Sequence, residues 1–348
     1  MNVLFGALDW GLGHTTRILP LISVHSQNGD KVIIGYTKKQ YPIYKEHFPE
    51  LVFVKLSTAT PKFSRRNSQI TSAVSYLPRF IYSIISDKIR LAKIIRRYNI
   101  HKVYSDSRFG LYSKRTFNVF ITHQLQIKLP LKLRFLKNLA TNLNCKLINN
   151  FHECLIPDFN GNNKLSGELS NRPPRLNIPV KYVGPLSRFT PNKDEFTSNS
   201  PELLIIISGP EKQRTKFEKL ILESLKNTSP KIDYLIIRGR PGVAHNNIPY
   251  SVNHCSSVDL KKYIQNAKYI ICRSGYSTVM DLTVLNKTAM LIPTPGQCEQ
   301  EYLADYLEHN KLFLSTQQDN IDINDIVLYL EKFIPKKLFF QRSENPAK

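Results

Sequence analysis

The stretch that decides the fold is Asn2-Val-Leu-Phe-Gly-Ala-Leu-Asp-Trp-Gly-Leu-Gly-His-Thr-Thr-Arg17. Its apolar beginning is typical of a buried strand, and its glycine-rich turn leads into a helix that we predict over residues 15–27. A further apolar run at residues 31–36 predicts a second strand. Strand, turn, helix and strand in this order form the unit from which parallel α/β sheets are built.

The same alternation of strands and helices continues along the chain and starts afresh at Glu202. A chain of 348 residues also exceeds what one hydrophobic core usually serves. Residues 187–201 are polar and contain two prolines, a composition typical of a linker. We therefore predict an α/β fold with two doubly wound, Rossmann-like domains over residues 1–186 and 202–335, followed by a basic tail over residues 336–348.

Positive charge is concentrated in the first half of the chain. The net charge is +22, and residues 1–185 hold 28 Lys and Arg against 9 Asp and Glu, so the remainder is nearly neutral. Such asymmetry indicates that the first half meets an anionic partner. Nucleic acid, anionic lipid headgroups and a phosphorylated acceptor are the open alternatives.

Two basic segments, residues 74–98 and 125–143, carry apolar stripes edged by Lys and Arg. One hypothesis is that they contact an anionic membrane surface or a polyprenyl-phosphate acceptor. The equally weighted alternative is that they are helices that cover the sheet with their apolar faces. No apolar run approaches the ~18 residues needed to span a bilayer. We expect a cytoplasmic protein, and the membrane hypothesis places it peripherally at the inner face of the cell membrane.

Cysteine and acidic patterns give no sign of a metal site. The five cysteines form no Cys-x-x-Cys pair, which fits reduced thiols. The sequence also lacks an Asp-x-Asp pair and a His/Cys cluster. We therefore expect no metal and no cofactor.

The glycine-rich turn is the first candidate site. Gly11 and Gly13 let the backbone come close to a ligand at the carboxyl end of the first strand, where open α/β sheets bind their ligands. We expect His14, in the same turn, to have a chemical role, although helix capping is the alternative. A dinucleotide fingerprint would need glycine at position 16, where Thr16 stands, and an acidic residue after the second strand. An NAD or FAD site is therefore disfavoured.

The second candidate site is Arg273-Ser-Gly-Tyr-Ser-Thr-Val-Met-Asp281, between a predicted strand and a predicted helix. The hydroxyls of Ser277 and Thr278, with the helix N-terminus, suit a diphosphate. Asp281 lies one to two turns further along the helix, where a carboxylate can accept hydrogen bonds from two ribose hydroxyls. An ordinary capped helix with a surface aspartate is the alternative.

The third candidate site is Pro293-Thr-Pro-Gly-Gln-Cys-Glu-Gln-Glu301, which follows the next strand. Glu299 and Gln300 suit the hydroxyls of a sugar, and Gly296 gives the loop its turn. The alternative for these acidic residues is compensation of the helix dipole. Because the second and third candidate sites follow adjacent strand–helix units, we expect their loops to lie side by side at one sheet edge.

These motifs resemble those of GT-B glycosyltransferases. The similarity is strongest to the branch containing the peptidoglycan enzyme that adds N-acetylglucosamine to lipid-linked muramyl-pentapeptide. It covers most of the chain and rests on residues 11–17, on Tyr182-Val-Gly-Pro185, and on residues 273–281 followed by 293–304. The turn has one glycine fewer before His14 than the peptidoglycan enzyme, so the chain is not identified as that enzyme.

The resemblance implies two domains that face each other across a cleft and transfer a sugar without a metal, with inversion favoured. The donor-side candidates are Gly209, Arg214, Arg273, Ser274, Gly275, Ser277, Thr278, Asp281, Gly296, Glu299 and Gln300. Among them, Arg214 is a candidate phosphate contact because the loop at Gly209 has fewer glycines than the family's. The acceptor-side candidates are Gly11, Gly13, Arg17, His123 and Gln124, and Arg17 stands where the family has a proline-containing turn. Since the acceptor hydroxyl must lose a proton, we predict His14 as the general base, with Asp106 as second candidate.

The predicted function is the transfer of a hexosyl group, including an N-acetylhexosaminyl group, from a UDP-linked or other nucleotide sugar to an acceptor hydroxyl. The predicted partners are the nucleotide-sugar donor and a glycan or lipid-linked acceptor of the cell envelope, and no nucleic acid is expected. Three alternatives stay open. The first is a nucleotide-sugar epimerase, which shares the fold. The second is a nucleic-acid-binding protein, which the positive net charge would suit. The third is a sugar-binding homologue that shows no turnover.

Overall fold

A computed structural model describes residues 1–57, 69–190, 201–209, 211–228, 232–240 and 248–336, with the backbone alone for residues 69–77. The chain divides into two compact units, one containing Met1–Arg188 and the other Phe189–Phe340. Residues 191–200 of the predicted linker and residues 337–348 of the predicted tail lie outside the described residues. The mutual arrangement of the two units across a cleft stays a prediction.

The first unit is built on a parallel sheet. Its strands are β1 (Asn2–Ala7), β2 (Lys31–Tyr36), β3 (Val52–Lys55), β4 (Lys102–Asp106), β5 (Phe117–Ile121), β6 (Glu153–Ile156) and β7 (Val180–Tyr182). They lie in the order β3-β2-β1-β4-β5-β6-β7. The chain therefore runs outward from β1 on one side and from β4 on the other, and the crevice of this sheet opens at the carboxyl ends of these two strands.

Helices cover both faces of this sheet. They are α1 (Leu12–Arg17), α2 (Leu19–Gln27), α3 (Tyr41–His47), α4 (Gln69–Tyr98) and α5 (Lys137–Ile148), with 3-10 helices at Leu131–Leu136 and Gly167–Ser170. Successive strand residues point to opposite faces. Phe5 packs in the core with residues of α2 and α3, whereas Leu4 packs with residues of α4. Phe120, on the same face as Leu4, packs with residues of α5.

The second unit repeats this plan. Its strands are β8 (Leu203–Ile206), β9 (Tyr234–Ile237), β10 (Ser251–Val252), β11 (Tyr269–Cys272), β12 (Met290–Leu291) and β13 (Leu314–Ser315). They are parallel and lie in the order β10-β9-β8-β11-β12-β13, so the crevice opens between β8 and β11. Its helices are α6 (Glu211–Lys226), α7 (Ser257–Asn266), α8 (Tyr276–Val284), α9 (Cys298–His309) and α10 (Ile323–Lys332), with a 3-10 helix at Gln318–Asn320. The predicted fold class, two doubly wound α/β domains, is confirmed.

The structure corrects three details of the sequence interpretation. The helix predicted over residues 15–27 is divided at Ile18, because Pro20 has no N–H to continue the ladder and its ring crowds the preceding turn. Helix α3 and strand β10 were not predicted. The segment 125–143 is a loop, a 3-10 helix and the first half of α5 instead of one amphipathic stretch.

The long helix α4 packs closely against the loop that follows β4. A Cβ atom on Gly110 would lie 2.4 Å from the carbonyl oxygen of Ile84, so glycine lets the α4 backbone approach the loop after β4. Arg108 in that loop is buried and pairs with Asp87 of α4 at 2.6 Å. In the part of the chain that the structure describes, α4 and the other helices are too short or too polar to cross a membrane.

Candidate functional site

Four predicted side chains meet in the crevice of the first sheet. His14 and Arg17 lie on α1, directly after β1, while Asp106 ends β4 and His123 follows β5. His14 Nδ1 lies within hydrogen-bond distance of Asp106 Oδ1, at 2.8 Å. Arg17 donates to both oxygens of the Asp106 carboxylate, through Nε and Nη2, and its Nη1 donates to His123 Nδ1 at 2.9 Å. The parallel sheet brings these groups together because its strands end at one edge.

The electrostatics of this cluster are dominated by Asp106, which is fully buried. Burial would raise the pKa of Asp106, but the Arg17 guanidinium and His14 outweigh it and hold that pKa well below its usual range. Asp106 is therefore a carboxylate at neutral pH. Because an ionised carboxylate only accepts hydrogen bonds, it favours the form of His14 with the proton on Nδ1.

His14 is the accessible member of the cluster. Its side chain is 23% exposed, whereas Asp106 is 0% exposed and Arg17 3%. With Nδ1–H directed at Asp106, the lone pair of Nε2 is available to accept a proton. The geometry therefore favours His14 as the base and Asp106 as the group that orients it. Asp106 is a buried carboxylate with two partners, so it is badly placed to meet an acceptor hydroxyl itself.

The other residues predicted on the acceptor side have different surroundings. Gly11 begins α1 with an extended backbone, and a Cβ atom there would meet open space. The carbonyl oxygen of Gly13 accepts from Thr16 Oγ1 at 3.2 Å. The carbonyl oxygen of Gln124 accepts from Asn144 Nδ2 at 3.0 Å. The Arg17 guanidinium is used inside the protein, which argues against the predicted contact of Arg17 with the acceptor.

In the second unit, the loops after β11 and β12 lie side by side, as predicted. Ser274 Oγ donates to the carbonyl oxygen of Gln300 at 2.8 Å. Arg273 Nη1 donates to the carbonyl oxygens of Ile292 at 3.1 Å and Pro293 at 3.0 Å. The Ser274 bond joins the loop before α8 to the start of α9. The two Arg273 bonds hold the backbone that follows β12.

Arg273 is therefore placed inside the unit and not on the surface of the loop. Its guanidinium also donates to Gln318 Oε1 and lies 4.0 Å from the centroid of the Phe217 ring. Burial lowers the pKa of Arg273 to about 10, so it stays a cation at neutral pH. The predicted direct contact of Arg273 with the donor gives way to a role in positioning the loops, with a positive charge beneath them.

The loop after β8 reaches the same place. Gly209 has a φ of +106°, a conformation that disfavours a side chain, and a Cβ atom there would lie 3.7 Å from Thr294 Oγ1. Thr294 is buried, and its hydroxyl has no hydrogen-bond partner among the described residues. Thr294 was not singled out from the sequence, although it lies inside the quoted 293–301 turn. A buried hydroxyl between two glycine-containing loops is a candidate ligand contact.

Helix α8 starts at the centre of these loops. Gly275 is its N-cap and provides no side-chain hydrogen bond. A Cβ atom on Gly275 would meet only Thr278 Oγ1, at 4.0 Å, so the protein itself would tolerate a side chain there. Glycine instead keeps the space in front of the helix N-terminus open, next to Ser277 and Thr278. Asp281 lies further along the same helix and is largely buried.

The side chains at the start of α9 hold their own loop. Gln300 accepts from the backbone N–H of Thr294 at 2.9 Å and donates to Gln297 at 2.6 Å. Gly296 has a φ of +83°, and its N–H donates to Glu301 at 2.7 Å. Contact of Gln300 with a sugar would thus require it to exchange one of these bonds, and the roles of Gln300 and Glu299 stay predictions.

Arg214 does not offer a free guanidinium to a phosphate. It is buried, and Glu211 accepts from its Nε and Nη2, each at 2.9 Å. Its Nη1 donates to the carbonyl oxygen of Arg238 at 3.1 Å. The hydrogen bond from Arg214 is also the main reason that the pKa of Glu211 falls to about 2. The phosphate contact predicted for Arg214 is therefore withdrawn in favour of an ion pair within the unit.

No group of His, Cys, Asp and Glu side chains among the described residues has the arrangement of a metal centre. Transfer without a metal stays a prediction.

Comparison with known proteins finds similarity to an enzyme family in the second half of the chain. Residues 210–348 match the glycosyltransferase family 28 C-terminal domain. The UDP-N-acetylglucosamine–N-acetylmuramyl-(pentapeptide) pyrophosphoryl-undecaprenol N-acetylglucosamine transferase of Desulforamulus reducens is 26% identical over 155 residues, 40% of this chain and 40% of that protein. Its namesake from Caldicellulosiruptor saccharolyticus is 26% identical over 92 residues, 26% of this chain and 25% of that protein. The matched regions thus span well under half of these relatives.

Solved structures of similar fold cover nearly the whole chain. The glycotransferase of kitacinnamycin aligns with a TM-score of 0.65 and 12% identity over 95% of this chain and 90% of that one. Acinetobacter baumannii MurG aligns with a TM-score of 0.54 and 14% identity over 95% and 89%. These likenesses establish the fold. The resemblance to GT-B glycosyltransferases, and to the N-acetylglucosaminyltransferase branch among them, is confirmed.

Proposed function

We propose that this chain, whose second unit matches the family 28 C-terminal domain, is a glycosyltransferase that moves a hexosyl group from a UDP-linked sugar to an acceptor hydroxyl. The single observation that carries the proposal is the convergence of the loops after β8, β11 and β12 at the crevice of the second sheet. Open α/β sheets bind nucleotides at this position. The relatives named above, which use UDP-N-acetylglucosamine, favour a uridine nucleotide and an N-acetylhexosaminyl group.

The donor is held by its phosphates and its ribose. The diphosphate lies in front of the N-terminus of α8, where Gly275 leaves room and Ser277, Thr278 and Thr294 offer hydroxyls. The Arg273 cation beneath the loops adds positive potential at the same place. Asp281 accepts hydrogen bonds from the ribose hydroxyls, and the start of α9 faces the sugar.

The reaction needs one proton transfer and one displacement. His14 Nε2 removes the proton of the acceptor hydroxyl, and the resulting oxygen attacks the anomeric carbon of the sugar. The bond between that carbon and the diphosphate oxygen breaks, and the nucleoside diphosphate leaves with the electron pair. Asp106 stabilises the imidazolium that forms on His14, while the N-terminus of α8 stabilises the charge on the leaving group.

The acceptor belongs to a lipid-linked or cell-envelope glycan in this proposal, and the surface of the first unit supports it. Side chains at i, i+4 spacing leave apolar groups exposed on α4, namely Ile81, Ile85 and Ile89. A second exposed series on the 3-10 helix and α5 consists of Leu131, Phe135, Leu139 and Leu143. Both elements cover the same face of the sheet. Together these residues form what we call the apolar–basic surface.

Exposed cations are interspersed in sequence with the apolar groups of this surface. They include Lys88, Arg90 and Lys93 on α4 and Lys132 and Arg134 on the 3-10 helix. Apolar side chains edged by Lys and Arg match the acyl boundary and the anionic headgroups of a cytoplasmic membrane leaflet. We infer that the protein works in the cytoplasm, attached peripherally to the inner face of the membrane.

Flotation with anionic vesicles tests this attachment. We expect the protein to co-float at low salt, and a Leu131→Ser/Phe135→Ser variant to bind at least tenfold more weakly, because each fully buried Leu or Phe contributes ~1.5–3 kcal/mol. Leu328→Ser/Tyr329→Ser, which removes exposed apolar groups of the second unit, serves as the control and should bind like the parent. If both variants bind as the parent does, the apolar–basic surface is not the membrane contact.

Thermal-shift screening against UDP-, GDP- and TDP-sugars tests the donor site and needs no acceptor. A UDP-sugar at 100 times its Kd should stabilise the protein by about 2.7 kcal/mol. Asp281→Ala should weaken this stabilisation, and Asp233→Asn, an exposed change in the same unit, should leave it intact. No shift with any nucleotide sugar would overturn the proposed function. Consumption of the donor without acceptor would point to an epimerase, and binding without turnover to a sugar-binding homologue.

A further inference from the structure

The Arg17 guanidinium contacts the other polar side chains of the cluster in the first unit. It ends the short helix α1 and is almost fully buried. Besides both oxygens of Asp106 and Nδ1 of His123, its nitrogens lie 2.9 Å from His14 Nδ1 and 3.3 Å from Ser107 Oγ. One side chain thus touches every polar group of the cluster. A lysine has a single ammonium group and could not span these partners.

The hydrogen bonds of Arg17 and Asp106 fix the position of the proton on the two histidines. A guanidinium only donates, so His123 Nδ1 must present its lone pair to Arg17, and a neutral His123 then carries its proton on Nε2. Asp106, as a carboxylate, only accepts, and a lone pair on His14 Nδ1 would face its oxygen at 2.8 Å, so His14 carries its proton on Nδ1 and has its lone pair on Nε2. Arg17 Nη2 lies 2.9 Å from the same His14 nitrogen, but its two N–H groups have acceptors in Asp106 Oδ1 and Ser107 Oγ. The two histidines of the crevice are thus held in opposite tautomers.

Arg17 also keeps Asp106 in the ionised form that accepts a hydrogen bond from His14. Asp106 lies fully inside the protein, and a buried carboxylate without a partner cation tends to take up a proton. A protonated Asp106 could donate to His14 Nδ1 and would leave the His14 proton on Nε2, where it blocks the base. Arg17 therefore keeps the carboxylate charged and, through it, keeps Nε2 of His14 free.

We propose that Arg17 is a positioning residue that sets His14 as a proton acceptor through Nε2 and His123 as a neutral hydrogen-bond donor through Nε2–H. The catalytic meaning of this arrangement rests on the proposed glycosyl transfer, whereas the two tautomers are properties of the unliganded protein. The inference replaces the sequence prediction that Arg17 binds the acceptor. It also gives His123 a fixed chemical form, which the sequence could not provide.

Nitrogen-15 NMR of the full chain labelled at histidine measures the tautomers directly. For the neutral form of each ring, recorded at alkaline pH, we expect the Nδ1–H tautomer for His14 and the Nε2–H tautomer for His123. His14→Gln and His123→Gln spectra assign the two signals. In Arg17→Lys, both signals should move toward mixed tautomers, and kcat should fall by about 10- to 100-fold, part of the 10²–10⁴-fold that a general base supplies.

Arg108→Lys is the matched control, because Arg108 is also buried in the first unit and paired with a carboxylate, Asp87. This variant should lose stability while the tautomers of His14 and His123 and the value of kcat stay near those of the parent. A parent spectrum with His14 in the Nε2–H form overturns the inference, even if the protein transfers sugars and even if Arg17→Lys fails to fold. Absence of transferase activity with the expected tautomers would instead contradict the proposed function alone.

Discussion

Replacement of His14 by alanine is expected to lower kcat/KM for glycosyl transfer by about 10²–10⁴-fold, the usual contribution of a positioned general base. The reason is that the His14 side chain is partly exposed and is oriented by Asp106, whose Oδ1 lies 2.8 Å from His14 Nδ1. Binding of the nucleotide sugar, which we assign to the second unit, should be unchanged. Steady-state release of the nucleoside diphosphate, measured with and without acceptor, gives the rate.

The control for this variant is His152→Ala. His152 precedes β6, at the amino end of the sheet, where its Nδ1 accepts from the backbone N–H of Asn118 at 2.9 Å. The variant loses an imidazole of the same unit away from the crevice, and it should retain most of the activity. A His14→Ala enzyme that works within threefold of the parent would exclude His14 as the base.

Replacement of Asp106 by asparagine is expected to destabilise the first unit by ~3–5 kcal/mol at pH 7, because it leaves the buried Arg17 cation without its counter-charge. The folded-state pKa of Asp106 is lowered, so its contribution is present above the unfolded-state pKa of about 3.9 and is lost as the pH falls toward the folded-state value. The difference in stability between the parent and Asp106→Asn should therefore be full at pH 7 and shrink below about pH 4.

Urea unfolding reports this difference in the first unit through a built-in probe. The chain has a single tryptophan, Trp10, which lies in the turn before α1, so its fluorescence follows the first unit. Glu46→Gln removes an exposed carboxylate of the same unit and should change stability by less than about 0.5 kcal/mol at both pH values. A loss in Asp106→Asn that is small at pH 7, or that grows toward pH 3, would contradict the ion-paired state of Asp106.

Much of the fold was predictable because short stretches of sequence are enough to specify strand ends and glycine turns. The apolar runs of β1 and β11, each followed by a turn and a helix, specify both the parallel sheets and the edge at which ligands bind. The adjacency of the loops at Arg273 and Pro293 followed from the same logic. Elements with weak local signals were missed, such as the two-residue strand β10, whose pairing with β9 depends on tertiary context.

The roles of long side chains were not predictable in this way. The sequence gives the position of an arginine along the chain but not the direction in which its guanidinium points. Arg17, Arg214 and Arg273 were all expected to meet a ligand, yet each is buried and bonded within its own unit. Their partners, such as Asp106 for Arg17, are far away in sequence and become neighbours only through folding.

Hydrogen–deuterium exchange in the presence of the nucleotide sugar that stabilises the protein most tests the central claim directly. The claim is that the loops after β8, β11 and β12 together hold the activated sugar. Saturating donor should slow exchange of the backbone amides at residues 275–281 and 294–300, and much less at the apolar–basic surface of the first unit. Protection that leaves these two segments unchanged and lies elsewhere in the chain would show that the donor binds at another place.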